Sequence, residues 1–88
     1  MANHKSAQKR IRQNAKRRTH NRHYRATMRT EIKKLMTAID AGDTDAAKAQ
    51  LPGTVGLIQR VAQKGIIHRR QAARRVSRLA GKVNALSA

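Results

Sequence analysis

The side chains here with the capacity for chemistry are overwhelmingly cations, and their spacing puts charge on every side of a helix. Lys9, Arg10, Arg12, Lys16, Arg17, Arg18, Arg22, Arg25 and Arg29 follow one another without an intervening acid. Ammonium and guanidinium groups free of carboxylates do one kind of work well: they displace counterions from a dense polyanion. Charge around most of the circumference suits insertion between several phosphate backbones better than docking on one flat surface. A second cationic set, Lys64, His68, Arg69, Arg70, Arg74, Arg75, Arg78 and Lys82, stands near the other end of the chain.

Other chemistries fail on residue type. His20 and His23 stand three apart, a feasible metal-ligand spacing on a helix, but they sit among Arg17, Arg18, Arg22 and Arg25 with no carboxylate or thiol nearby. A dication there would be repelled, so no metal is expected; contact with a polyanion, by hydrogen bonding or stacking, is the reading for His20, His23 and Tyr24. The absence of cysteine removes disulfides, thiolate metal sites and cysteine catalysis. There is no nucleophile motif, no phosphate-cradling glycine loop and no pair of acids suited to a pocket, so neither catalysis nor a cofactor is expected. His68 reads as a cap or loop hydrogen-bonder. Tyr24 is the one aromatic residue, so stacking platforms for single-stranded bases are absent. Readout falls to phosphate, sugar and shape, with arginine planes stacking on a few exposed bases.

The 88 residues carry 21 Lys and Arg against 4 Asp and Glu, a net charge of +17. A chain of this length forms one domain at most, and without Phe or Trp it has little material for a deep, dry pocket. The charge is segregated. Residues 1–30 hold ten bases and no acid, residues 31–59 hold three bases and all four acids (Glu31, Asp40, Asp43, Asp45), and residues 60–88 hold eight bases and no acid. Two basic segments thus flank a nearly neutral joint, which points to two surfaces facing one large polyanion. No apolar run is long enough for a membrane span, and no signal-peptide segment follows Met1.

The elements that must position these cations are helices. Residues 6–39 contain no Pro or Gly and are rich in Ala, Arg, Lys and Gln, with Ser6 the expected N-cap. Met28, Ile32, Leu35, Met36 and Ile39 make one helical stripe, and the two methionines are core. Residues 1–27 have no such face, so they form a basic arm whose helicity depends on propensity and an external partner; without RNA, residues 1–25 are expected to be largely disordered. Asp40-Ala41-Gly42-Asp43 is a stop and restart, with Gly42 in the left-handed conformation and Asp43 as a cap. A second helix spans 44–64 with its apolar stripe at Ala47, Leu51, Val55, Ile58 and Ala62, kinked near Pro52. Gly65 suits a Schellman turn with Ile66 folding back. A third helix spans 68–86, with Ala72, Val76, Leu79, Val83 and Leu86 opposite Arg70, Arg74, Arg75, Arg78 and Lys82, and with Arg69 nearer the apolar side. The fold class is all-α: a single domain, residues 1–88, forming a three-helix antiparallel bundle whose long N-terminal helix extends beyond it.

Three functions fit a basic helical chain: a structural RNA-binding protein of a large ribonucleoprotein, a histone-like nucleic-acid-compacting protein, and a membrane-active or targeting segment. The last is weak, because residues 5–27 lack a continuous hydrophobic face. Charge alone hardly separates the first two.

The residues themselves separate them. The opening Met1-Ala2-Asn3-His4-Lys5-Ser6-Ala7-Gln8-Lys9-Arg10-Ile11-Arg12-Gln13 resembles the start of the bacterial small-subunit ribosomal protein S20 family. So do Lys16-Arg17-Arg18 with Asn21-Arg22, Arg29-Thr30 with Ile32-Lys33-Lys34, and Ala41-Gly42-Asp43. Lys64-Gly65-Ile66-Ile67-His68, Ala72-Ala73-Arg74 and Ser77-Arg78-Leu79-Ala80 complete the pattern in order and register. The resemblance implies a non-enzymatic protein of the bacterial 30S subunit, located in cytoplasmic ribosomes. It would bind 16S ribosomal RNA at the 5′ domain and the lower part of the long penultimate stem, and would aid assembly. The chain departs from the family pattern at residues 50–57, where Pro52, Gly53 and Gly56 stand, and at His20, His23 and Tyr24, to which no family role is carried.

The expected RNA contacts on the arm are Lys5, Lys9, Arg10, Arg12, Lys16, Arg17, Arg18, Arg22, Arg25 and Arg29, extended by Lys33 and Lys34. Asn3, Ser6, Asn14 and Asn21 are expected donors to phosphate or the 2′-hydroxyl. The second surface comprises Lys64, His68, Arg69, Arg70, Arg74, Arg75, Arg78 and Lys82, and about a third of all these cations are expected to be merely solvated.

Overall fold

A computed structural model describes the backbone of residues 2–87 and the side chains of residues 5–87. Three helices follow in order: α1 (Ala2–Asp40), α2 (Thr44–Gln63) and α3 (Arg69–Ser87), with no strand among the described residues. At 1.5 Å per residue, α1 is about 58 Å long and α2 about 30 Å. The molecule measures 66 × 20 × 15 Å, so the excess length of α1 is the long dimension. Ser6 lies inside α1, four residues past its first residue, Ala2, and is not the N-cap expected of it. The run Ala2–Lys5 contains no residue that opposes helix, so nothing stops the helix at Ser6.

Both joints are built by glycine. Gly42 has φ +71° and Gly65 has φ +78°, conformations that cost an L side chain energy. The Gly42 N–H donates to the Ile39 carbonyl and the Asp43 N–H to the Ala38 carbonyl, each at 3.0 Å. At the second joint Gly65 N–H donates to Ala62 at 2.9 Å and Ile66 N–H to Val61 at 3.2 Å. Both sets are the paired bonds of a Schellman motif. Ile66 folds back and is buried, as its place after Gly65 predicts. Asp43 closes one helix and opens the next, since its carboxylate accepts from the Ala46 N–H at 3.2 Å. Asp45 follows in the first turn, where a negative charge complements the helix dipole.

The core lies between the apolar stripes. Met28, Leu35 and Ala38 of α1 meet Ala47, Ile58 and Val61 of α2 and Ala72, Leu79 and Val83 of α3, with Ile66 beneath the second joint. α2 is the central helix; it packs along both neighbours, while α1 and α3 touch each other only slightly. The short joints make each consecutive pair antiparallel. On α2 the buried face is rotated from the expected one. Thr54 and Val61 are buried, whereas Leu51, Val55 and Ala62 are half-buried. Thr54 tolerates this because its hydroxyl donates to the Gln50 carbonyl at 3.1 Å, leaving its methyl for the core. α2 runs unbroken through Pro52. The Lys48 carbonyl loses its helical donor there, but Lys48, Pro52, Gly53 and Gly56 all lie on the exposed side.

Candidate nucleic-acid interface

The arm is the part of α1 that no other helix covers. Every side chain from Lys5 to His20 is exposed, and burial begins with half-buried Asn21 and Tyr24. Heptad spacing shows why. Met28 and Leu35 face the bundle, and stepping back by sevens from Met28 gives Asn21 and Asn14. The neighbouring register runs from Ala38 through Glu31 and Tyr24 to Arg17 and Arg10. The face that is apolar in the bundle therefore becomes amide and guanidinium in the arm, and cannot pair with another apolar helix.

The cations of the arm resolve into rows. Lys5, Lys9, Arg12 and Lys16 stand at i, i+4, i+7 and i+11 and, with Gln8 and Gln13, line a shallow groove on one side. Arg18, Arg22, Arg25 and Arg29 repeat that spacing 13 residues further on, and Lys33 continues it. At 100° per residue the two rows face directions about 140° apart, each about 16 Å long. Arg10 and Arg17 lie on a third side, more than about 90° from either row and in line with the bundle face. Ile11, 66% exposed, stands out as a large apolar side chain left in solvent.

This arrangement is unfavourable for the protein alone. Lys5–Lys9, Arg12–Lys16, Arg18–Arg22 and Arg25–Arg29 are like-charge pairs at i,i+4, each destabilising a helix by about 0.2–0.5 kcal/mol. The first turn of α1 carries no acid to complement its positive end. The one ion pair among the described residues joins Lys34 to Glu31 at 3.4 Å, and its exposure makes it worth little.

The α3 cations sit on the side away from the core. Arg70, Arg74, Arg75 and Arg78 are exposed; Lys82 is exposed too, with its Nζ reaching Met36 Sδ of α1 at 3.8 Å. Arg69 stands at the apolar edge, as its register predicts, in the groove between α2 and α3 with Ala62, Ala72 and Val76. His68 is the N-cap of α3: its carbonyl accepts from the Ala72 N–H and its Nδ1 from the Arg70 N–H, both at 3.1 Å. That bond leaves Nε2 as the ring donor available to a partner.

Where the arm enters the bundle, the structure joins groups that are remote in sequence. Arg25 Nη2 donates to the Ile66 carbonyl at 3.2 Å. Lys64 Nζ stands 4.8 Å from the centroid of the Tyr24 ring. His20 stacks on Tyr24 with centroids 6.1 Å apart, and His23 meets the same ring edge-on at 5.8 Å. The sequence pattern suggests only polyanion contact for Tyr24 and the two histidines, and no local spacing exposes this cluster. The expected sites from Lys5 to Lys82 are all on the surface, with Asn21 half-buried and Ser6 and Asn14 fully exposed; the Asn3 side chain lies outside the described residues. No group of three or more His, Asp or Glu placed to hold a metal occurs among the described residues, and none of their helices is long and apolar enough to cross a membrane.

A family model described as ribosomal protein S20 matches residues 2–84 of the chain. The chain belongs to the ribosomal protein S20 family. A small ribosomal subunit protein bS20 from Saccharophagus degradans is 51% identical over 88 residues, covering 100% of both chains. That from Citrifermentans bemidjiense is 52% identical over 86 residues, 98% of this chain and 99% of its own. That from Pseudomonas aeruginosa is 51% identical over 87 residues, 99% and 96% respectively. The S20 family consists of structural ribosomal proteins and not enzymes, and the match extends through both the arm and the bundle. The Pro52 segment is accommodated within an unbroken α2.

Proposed function

We propose that this chain is a structural constituent of the small ribosomal subunit and binds 16S ribosomal RNA directly. The observation that carries the reading is the pair of four-cation rows on differently facing, exposed sides of α1. Two such rows neutralise two phosphate backbones at once, so the arm braces RNA helices that would otherwise repel. Lys5, Lys9, Arg12 and Lys16 hold one backbone, and Arg18, Arg22, Arg25, Arg29 and Lys33 hold the other. Arg10 and Arg17 add charge on a third side of the helix, and the like-charge repulsion along each row is relieved when phosphates arrive. Asn3, Ser6, Asn14 and Asn21 donate to phosphate or to 2′-hydroxyls. The exposed face of α3, with Arg70, Arg74, Arg75, Arg78 and Lys82, engages a further segment beside Lys64, His68 and Arg69. The names of the relatives, small ribosomal subunit proteins, support this placement. The RNA targets are the 5′ domain and the lower part of the long penultimate stem, and the role is to aid 30S assembly in cytoplasmic ribosomes without catalysis or cofactor.

The test is nucleotide-resolution footprinting of small-subunit RNA with the protein added alone, paired with a salt series on duplex DNA of equal charge. Discrete protection on the RNA and weaker retention of DNA is the expected result. Equal retention of both, with no discrete footprint, would instead favour a histone-like compacting protein.

A further inference from the structure

The joint between α2 and α3 carries Lys64 and His68 and opens into Arg69 and Arg70, yet its path between the helices turns on a glycine, Gly65 at φ +78°. Its cations can act together with the arm only if something fixes the joint to α1. Besides the burial of Ile66 in the core, two contacts do so, and both land at the root of the arm. Arg25 of α1 donates to the Ile66 carbonyl, a bond across 41 positions, and Lys64 sits against the face of Tyr24. Tyr24 is in turn held by His20 one turn earlier and by His23 at its edge, and it packs against the core. With a cation on its ring and histidines around it, Tyr24 is poorly placed to stack on a nucleotide base. Its surroundings are those of a clamp.

We propose that Tyr24 is a positioning residue that ties the α2–α3 joint to the root of the arm, so that the arm rows and the joint cations engage one RNA as a single preorganised surface. The proposal rests on the RNA-binding reading above and adds the device that couples its two halves. A cation held over an aromatic ring loses freedom but keeps its charge, so Lys64 remains able to meet phosphate while its position is set. Two binding surfaces held in register gain over two that move independently, because the second engages at a high effective concentration. Removing the ring removes no charge, so it lowers affinity without changing the number of counterions released.

The experiment uses the full chain and transcribed small-subunit ribosomal RNA. Because the chain contains no cysteine, single cysteines at Gln13 and at Ser77 carry iron chelates that cleave nearby RNA, one reporting the arm and one α3. Tyr24→Leu keeps an apolar side chain against the core but loses the ring, and Tyr24→Phe keeps the ring. Tyr24→Leu is expected to weaken binding roughly fivefold at an unchanged slope of log affinity against log salt. One of the two cleavage patterns should broaden while the other stays sharp, and Tyr24→Phe should behave as the parent. Lys64→Gln is the second probe, and its loss of affinity should be less than additive with that of Tyr24→Leu. Affinity and both cleavage patterns unchanged in Tyr24→Leu would overturn the proposal while leaving the RNA-binding reading intact. A lowered melting temperature with fully additive losses would also overturn it, by assigning Tyr24 to fold stability alone. Failure of the parent protein to bind the RNA would overturn both readings together.

Discussion

Replacing Lys5, Lys9, Arg12 and Lys16 with glutamine takes four charges from one side of the arm and nothing from the bundle. All four side chains are exposed and lie outside the buried cluster. Each phosphate neutralised on a duplex contributes about 0.9 to the slope of log affinity against log salt. Four contacts therefore contribute about 3.6 to the slope, and at 0.15 M salt about 1 kcal/mol each relative to 1 M. If a third of these cations are solvated in the complex, as expected for a charged helix, the loss is roughly 100-fold in affinity with a slope reduced by about 2.4; with all four engaged it is roughly 1,000-fold. Filter binding to small-subunit RNA between 50 and 300 mM salt, concentrations chosen to be of the order used for such slopes, reads both quantities at once. The melting temperature of the quadruple variant should stay within about 2 °C of the parent or rise slightly, since two like-charge i,i+4 pairs are relieved. An unchanged slope would refute the row as a phosphate contact, and a collapse of the fold would refute the separation of arm from bundle.

Two further substitutions test the bundle. Ile58, with 0% exposure at the centre of the core, changed to alanine should cost about 2–5 kcal/mol and lower the melting temperature by at least 8 °C or so, read by circular dichroism. Gly65→Ala has open space for its methyl group, so its cost should come from the backbone at φ +78° alone: about 1 kcal/mol in chemical denaturation.

Much of this molecule was legible along the chain, for reasons that are local. A glycine after the last apolar position of a helix predicts a left-handed turn, and Gly42 and Gly65 each make one. Asp43 and His68 cap the helices they precede. The uncovered arm was legible because an apolar stripe simply stops at Met28. The remainder depends on neighbours. Ser6 suits a cap only if the residues before it are non-helical, and they are helical from Ala2. Side-chain polarity alone puts the α2 stripe on Val55 and Thr54 outside, and the Gln50 carbonyl that satisfies the Thr54 hydroxyl is a property of the folded helix. The contacts of Tyr24 with Lys64 and of Arg25 with Ile66 span 40 positions or more, and no period in the sequence carries them.

Every side chain from Lys5 to His20 is exposed, and the proposed function gives this stretch RNA as its stabilising partner. Amide hydrogen exchange, resolved by residue with and without small-subunit ribosomal RNA, tests it most directly. Weak protection is expected from Lys5 to His20 in the free protein, with strong protection at Leu35, Ile58 and Val61 and a rise of at least about tenfold across the arm when RNA is added. Protection of the arm equal to that of the core without RNA, or no change on adding it, would contradict the account.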